Sequence, residues 1–197
     1  MAAAAASTSS IAPTITTQTA TGAWTETIPA GGYTWVVIEQ WSAACGGGKG
    51  DGTNNWQGGR GAGGAYAISD PINISGQAGH TIKGSNGAGG AGGTLVNGGN
   101  GLTGGTSSVN TSGTATGINA ITIPVGTGGQ AGGPTAIGTD GTTAAAPSAT
   151  GWTGTAGAYN AITGVNGGPY ASGGTRGTII GGDGGNGGPG ATVFKYY

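Results

Sequence analysis

The sequence is poor in charged residues. It has 5 Lys and Arg and 6 Asp and Glu in 197 residues, which gives a net charge of −1. Proteins that bind nucleic acid or an anionic membrane surface concentrate basic residues on one face, because contacts to phosphates supply much of their affinity. This chain has too few basic residues for such a face. We therefore expect no nucleic-acid partner.

Cysteine, histidine and long apolar runs are equally scarce. The single cysteine, Cys45, excludes an internal disulfide and a multi-cysteine zinc site. The single histidine, His80, has no Gly-x-Ser-x-Gly motif to serve and no second histidine with which to chelate a metal. No stretch approaches the ~18 apolar residues of a membrane span. We predict no enzyme activity, no cofactor, no metal and no membrane insertion.

Sequence typical of α-helices is also lacking, because glycine recurs along most of the chain. The chain contains 51 Gly and 8 Pro, and a glycine inside a helix costs about 1 kcal/mol relative to alanine. What remains are short segments of β-branched and aromatic residues bounded by turn residues, which is typical of strands. The densest are 33–41 and 190–197, and we expect these two to pair. Weaker candidates are 24–28, 64–69, 72–74, 80–83, 106–109, 118–124 and 177–180.

These segments predict an all-β domain that is sandwich-like, in the manner of a jelly roll, with paired first and last strands and long glycine-rich loops. Residues 1–22 are uncharged and rich in Ala, Ser and Thr. We expect them to form an extended N-terminal arm, followed by one glycine-rich β domain at 23–197.

Glycine recurs at every third position in two tracts, at 84, 87, 90 and 93 and again at 181, 184, 187 and 190. Three residues is the repeat of the polyproline II helix, and glycine at every third place lets such helices approach closely. The same tracts could equally be mobile loops. The sequence leaves both interpretations open.

Four aromatic residues lie in polar, glycine-rich sequence that predicts loops: Trp56, Trp152, Tyr159 and Tyr170. Aromatic rings on loops can stack on sugar rings or contact a protein receptor, so these residues are candidate receptor contacts. The alternative is that each ring packs under its own loop.

Three further aromatic residues, Tyr33, Trp35 and Trp41, share one face of the predicted strand 33–41, and Val36 and Ile38 lie on the other. Such a strand is either a central strand covered on both sides or has one face in the core and the other at a subunit contact. On the second interpretation these aromatic residues are candidate subunit contacts in a homo-oligomer, with a trimer as the expected state.

The order of motifs resembles the glycine-rich domains of bacteriophage tail-fibre and related virion appendage proteins. The matching motifs are an aromatic-Thr-x-Thr-Ile-Pro-Ala-Gly opening at Trp24, a Val-rich strand running into glycine, and a closing Gly-x-Gly-Gly-x-Gly-x-Pro-Gly-Ala-Thr-Val-x-x-Tyr strand. The resemblance extends from Trp24 to Tyr197. It departs at 42–45, where Ser-Ala-Ala-Cys precedes the first glycine run.

The resemblance implies a non-enzymatic virion structural protein at the surface of the extracellular particle, as part of a phage fibre or spike. The N-terminal arm would dock to other virion proteins, and the domain would contact a glycan or protein of the host surface. Two alternatives remain open. One is a particle-stabilising decoration or minor structural subunit with no ligand, and the other is an ice-binding glycine-rich protein.

Overall fold

The computed structural model describes residues 12–52, 56–94, 99–133, 135–158, 170–174, 176–177 and 181–197. Within these residues the chain forms ten strands and no helix, as the glycine content predicts. The strands are β1 (Thr14–Gln18), β2 (Gly22–Thr27), β3 (Trp35–Trp41), β4 (Tyr66–Ser69), β5 (Ile72–Asn73), β6 (Thr81–Asn86), β7 (Ser107–Asn110), β8 (Ile121–Ile123), β9 (Trp152–Thr155) and β10 (Ala191–Tyr196).

The strands form two antiparallel sheets. The larger sheet has the order β1-β10-β3-β4-β9, with the short strand β5 also paired to β3, and the smaller sheet has the order β2-β6-β7-β8. The two densest segments of the sequence pair as predicted, with Val37 opposite Lys195 and Trp41 opposite Ala191. The predicted pairing of β3 with the last strand is therefore confirmed.

The apolar faces of the two sheets pack against each other. Val36 and Ile38 on β3 are fully buried, and so is Phe194 on β10. Across the interface, the ring of Trp24 on β2 meets the ring of Phe194 edge-on, with centroids 5.5 Å apart. The prediction of an all-β, sandwich-like domain is therefore confirmed.

The structure differs from the prediction of an arm over residues 1–22. Residues 14–18 form β1, which pairs along its length with β10. Thr16 and Gln18 also donate side-chain hydrogen bonds to the carboxylate of Glu26, at 2.6 and 2.8 Å. Threonine is a good strand former, but with no turn residues around it the segment gave no sign of its partner. Residues 1–11 lie outside the described residues.

β3, β6 and β8 run on into glycine-rich segments, and β4, β7 and β10 each follow one. The segment after β3, residues 42–50, is buried throughout apart from the partly buried Lys49. We call it the central segment. Six surrounding segments are hydrogen-bonded to it: 59–65, 87–93, 99–105, 126–132, 171–177 without residue 175, and 182–188. We call the whole assembly the bundle.

Around the central segment, neighbours that accept hydrogen bonds from it alternate with neighbours that donate hydrogen bonds to it. The Gly47 N–H donates to the carbonyl of Gly185 at 2.9 Å, and the Gly47 carbonyl accepts from the N–H of Gly93 at 2.7 Å. Each partner recurs after three residues, which is the repeat of a polyproline II helix. The antiparallel segments 59–65, 99–105 and 182–188 accept from the central segment, and the parallel segments 87–93, 126–132 and 171–177 donate to it. The described glycine tracts are therefore packed segments.

Glycine is required where the segments touch. A Cβ atom added at Gly46 would lie within 3.0 Å of the backbone oxygen of Ala91, and one at Gly48 equally close to that of Gln130. Real Cβ atoms do not approach backbone this closely, so any side chain would push the segments apart. Absence of a Cβ is thus what allows the backbones to bond directly.

Polar side chains join the sandwich to the bundle. Asn86, at the end of β6, is buried, and its Oδ1 accepts hydrogen bonds from Trp24 Nε1 at 3.3 Å and Gln40 Nε2 at 3.1 Å. Its Nδ2 donates to the carbonyl of Gln18 at 2.7 Å. One amide therefore connects β1, β2 and β3 at the level where the strands give way to glycine.

Candidate functional site

The molecule has two ends of different composition. The sandwich end contains the start of β3, strand β5 and the end of β10. The distal end lies at the opposite end of the molecule, because the bundle extends away from the strands. It contains the parts of the glycine segments that are farthest from the sandwich. Its described residues are 50–52, 56–58, 93–94, 99–100, 132–133, 135–138, 177 and 181–182.

Trp56 lies at the distal end, as expected for an aromatic residue on a loop. Trp56 is half-buried, and its backbone is fixed by two hydrogen bonds with Asp51. The Asp51 N–H donates to the Trp56 carbonyl at 3.0 Å, and the Trp56 N–H donates to Asp51 Oδ1 at 3.2 Å. These bonds fix the position of the Trp56 backbone relative to Asp51.

Lys49 ties the central segment to a neighbour near the distal end. Its side chain is 15% exposed, and its Nζ donates to Asp183 Oδ1 at 3.1 Å and to the carbonyl of Gly181. These contacts pair the ammonium group of Lys49, which is the one charged side chain of the central segment.

Two arginines hold one carboxylate on the side of the bundle. Arg60 donates to Asp140 Oδ2 through Nε at 3.0 Å and through its NH2 nitrogen at 2.7 Å, and Arg176 lies at 3.2 Å from Oδ1. Burial alone would raise the pKa of Asp140, but hydrogen bonds from Arg60 and the charges of both arginines lower it. The cluster links three segments by charge.

The prediction that Trp152 lies in a loop is wrong. Trp152 begins β9, its exposure is 8%, and it packs in the sandwich core. Its Nε1 donates to the carbonyl of Asn119 at 3.0 Å. The segment Trp-Thr-Gly-Thr is too short and too polar to signal a strand, so the sequence gave no reason to bury the ring. A residue so enclosed offers almost no surface to a receptor.

Tyr170 and Trp41 belong to a second, smaller core. Trp41 is 7% exposed, and its ring lies 4.9 Å from that of Tyr66 and 5.6 Å from that of Tyr170. Tyr170 is partly buried by this contact. Trp41, expected to contact another subunit, is thus covered by its own chain. Tyr159 lies outside the described residues.

Tyr33 and Trp35 differ in exposure although they are close in sequence. The Tyr33 hydroxyl lies 2.7 Å from Thr14 Oγ1, and its ring lies 5.6 Å from that of Tyr196, so it packs against the core. Trp35 is 42% exposed. Of the three aromatic residues expected at a subunit contact, only Trp35 presents a large surface.

A cleft of about 380 Å³ opens beside Trp35 at the sandwich end. Trp152 reaches the same cleft, and the polar side chains that line it belong to Asp70, Asn73 and Asn119. The structure therefore brings together two tryptophans that the sequence assigned to different surfaces. Nothing in the sequence could have paired them, because they come from strands far apart in the chain.

His80 and Cys45 lie in separate parts of the molecule. His80 precedes β6, and its exposed Nδ1 lies 2.9 Å from the carbonyl of Thr114. Cys45 is fully buried in the central segment, and burial raises the pKa of its thiol despite lowering contributions from the N–H groups of Gly104 and Gly126. Across the residues that the structure describes, no three His, Cys, Asp or Glu side chains are grouped to hold a metal.

The sequence matches no protein-family model and no curated protein. The described residues contain no helix with the length and hydropathy of a membrane span.

Proposed function

We propose that this chain is a non-enzymatic virion structural protein, a component of a phage fibre or spike that holds the bundle outward toward the host surface. One observation carries the proposal: the molecule has a polarity. β1 begins at the sandwich end, since Thr14 pairs with Tyr196, and Tyr197 hydrogen-bonds to Thr34 and Trp35 there. Attachment to a particle through the sandwich end would leave the distal end free.

The bundle suits such a role because it is a spacer. Its segments are joined by backbone hydrogen bonds along their length, with glycine at the positions of closest contact. A near-neutral surface binds through shape and hydrogen bonds, and affinity would come from many copies acting together. Trp56 and Ile137, which is 48% exposed, supply the apolar surface of the distal end.

The partners follow from the same arrangement. Residues before β1 would dock to other virion proteins at the sandwich end, and a glycan or protein of the host surface would meet the distal end. We expect a homo-oligomer, with three copies as in many fibres, and exposed Ile15 as an apolar contact between them. A soluble monomer at micromolar concentration in light scattering would contradict this part of the proposal.

Cell binding tests the proposal. Fluorescently labelled protein is incubated with intact bacteria, and wild type is compared with Trp56→Ala plus Ile137→Ala. The matched control is Leu102→Ala, because Leu102 is also 48% exposed but lies on the side of the bundle. We expect binding to fall at least about tenfold in the distal variant, equivalent to about 1.4 kcal/mol, and to be kept in the control.

Two results would contradict host attachment. If folded wild-type protein binds no candidate host, the decoration subunit becomes the better hypothesis. If both variants bind like wild type, the distal end does not contact the host.

An ice-binding protein remains the second candidate, on one observation. Small exposed residues repeat every three positions within single segments, as at Ala88 and Ala91 in one and at Thr139 and Thr142 in another. Each row is regularly spaced along its own segment. Thermal hysteresis in a solution of the purified protein would support this function, and its absence would exclude it.

A further inference from the structure

We propose that the cleft beside Trp35 binds a neutral pyranose sugar, which is a binding site additional to the distal end. The proposal does not depend on a role in a virion, because it rests on the lining of the cleft alone. A volume of about 380 Å³ lies within the range of small-molecule sites, which is about 300–1,000 Å³. It is large enough for one sugar ring and small enough to enclose much of it.

The lining combines a flat apolar surface with polar groups of both kinds. The indole of Trp35, 42% exposed, provides a face on which the C–H groups of a sugar ring can stack. Asp70 supplies a carboxylate that only accepts hydrogen bonds, whereas the amides of Asn73 and Asn119 both donate and accept. Sugar hydroxyls do both, so this mixture suits them.

The structure leaves several of these polar atoms available. Asn73 uses its Oδ1 to accept from the Ser75 N–H at 2.9 Å, which leaves its Nδ2 for a ligand. Asn119 uses its Nδ2 to donate to the carbonyl of Thr150 at 3.0 Å, which leaves its Oδ1. The carboxylate of Asp70 makes no hydrogen bond within the described part of the chain. The residues that line the cleft therefore retain one amide donor and two kinds of acceptor for a ligand.

The lining is also held in place. Trp35 and Asn73 are direct neighbours across the β3–β5 pair. The Asp70 N–H donates to the carbonyl of Gly151 at 2.8 Å, and the backbone of Asn119 is fixed by the indole of Trp152. A site that does not need to rearrange loses less free energy on binding.

Other small ligands fit this lining less well. No described residue that lines the cleft is basic, so phosphorylated or carboxylated ligands would meet Asp70 without a counter-charge. A quaternary ammonium would suit Asp70, but such cations are bound in cages of several rings. Only one ring is well exposed here, since Trp152 is 8% exposed. A neutral sugar is the ligand that uses every group.

Titration of the full-length protein with single sugars tests the proposal. Methyl glycosides of glucose, galactose, mannose and N-acetylglucosamine are titrated at millimolar concentrations, with binding read from tryptophan fluorescence and from protein NMR spectra. The variants are Trp35→Ala, Trp35→Phe and Asp70→Asn, and the control is Trp56→Ala at the distal end. Phosphocholine and choline are titrated in parallel as charged ligands.

We expect at least one glycoside to bind and its affinity to fall about tenfold or more in Trp35→Ala, with partial recovery in Trp35→Phe. Asp70→Asn should weaken binding severalfold, and Trp56→Ala should not change it. Because Trp35 and Asp70 are exposed, these variants should fold, and their thermal unfolding checks this.

Three outcomes would overturn the proposal. The first is no binding of any glycoside by folded wild type, and the second is tighter binding of choline. The third is glycoside binding that survives Trp35→Ala. If that variant instead lowers the mass of the oligomer, Trp35 is a subunit contact. None of these results changes the cell-binding test of the distal end, so the two proposals fail separately.

Discussion

The sandwich and the bundle bury their chain in opposite ways. The sandwich is held by side chains: its largest fully buried residues include Tyr196, Phe194 and Ile38, and burial of such groups gives about 25 cal/mol per Å² of apolar surface. The bundle is held by peptide groups that hydrogen-bond directly from one segment to the next. The two regions therefore tolerate different kinds of substitution. The sandwich is sensitive to missing volume, and the bundle to added volume.

The largest expected effect is that of one methyl group added to the bundle. In Gly48→Ala the new Cβ would lie within 3.0 Å of the Gln130 carbonyl, and the two segments must separate and lose their shared hydrogen bonds. We expect a loss of about 3 kcal/mol or more in the free energy of unfolding, at the upper end of overpacking effects. Urea unfolding followed by tryptophan fluorescence measures it.

Gly133→Ala is the matched control for that substitution. An added Cβ at Gly133 meets nothing closer than the Ala136 oxygen at 4.0 Å, so we expect a change within about 0.5 kcal/mol. Equal costs at Gly133 and Gly48 would show that loss of glycine itself, rather than the contact between segments, is responsible.

Alkaline pH should weaken the sandwich selectively, because two of its tyrosines resist ionisation. Burial, followed by the charge of Glu39, raises the pKa of Tyr66 to about 12. Burial and then Glu26, which accepts its hydrogen bond at 3.0 Å, raise the pKa of Tyr196. Their stabilising contribution is complete below the unfolded pKa of about 10 and is lost as the pH rises toward the folded values.

The slope of the free energy of unfolding against pH tests this expectation. Above pH 10 the free energy of unfolding should fall by up to about 1.4 kcal/mol per pH unit for each tyrosine that stays neutral only in the folded state. Tyr196→Phe should be less stable at pH 7 and should fall less steeply between pH 10 and 11.5. Parallel slopes for the variant and wild type would contradict the role of Tyr196.

Removing volume from the sandwich should cost less than adding it to the bundle. Ile38 is fully buried between the sheets, and Ile38→Val removes one methylene group. We expect a loss of about 0.5–1.5 kcal/mol, the usual range for this change in a core. Urea unfolding under the conditions used for Gly48→Ala gives the comparison directly. A cost above that of Gly48→Ala would reverse the order proposed for the two regions.

The smallest expected effect concerns the surface charges of the bundle. Asp140→Asn removes the ion pairs with Arg60 and Arg176, whose side chains are 37% and 36% exposed, and such partly exposed pairs contribute about 0.2–1 kcal/mol each. Because the folded pKa of Asp140 is lowered, its contribution is complete above the unfolded pKa of about 3.9 and is lost as the pH falls through the folded value. The difference from wild type should therefore shrink between pH 5 and pH 2.5.

The sequence predicted the sandwich better than the bundle. Strands β3 and β10 could be found, and their pairing inferred, because each concentrates β-branched and aromatic residues between glycine tracts. β1 and β9 were missed because Thr-rich and Gly-containing segments of four or five residues carry little signal. Their place in the sheet depends on long-range partners.

The bundle could be suspected from the three-residue repeat but not built from it. The repeat shows that a segment can pack closely, whereas the neighbour of Gly47 is fixed by the topology of the strands on either side. The cleft could not be predicted from the sequence for a similar reason. Trp35 and Asn73 become neighbours only through the β3–β5 pair, and Asn119 joins them through Trp152.

The central segment, which bonds to six neighbours through its backbone, has a consequence for temperature. Heat-capacity changes on unfolding come from newly hydrated surface, with apolar surface raising the heat capacity and polar surface lowering it. The bundle hides mostly peptide groups and glycine Cα atoms, so its share of the heat-capacity change should be far below the average of about 12–15 cal/mol/K per residue. The curve of stability against temperature is then shallow for this half of the molecule, and cooling, which weakens ordinary apolar cores, leaves the bundle nearly as stable as in the warm.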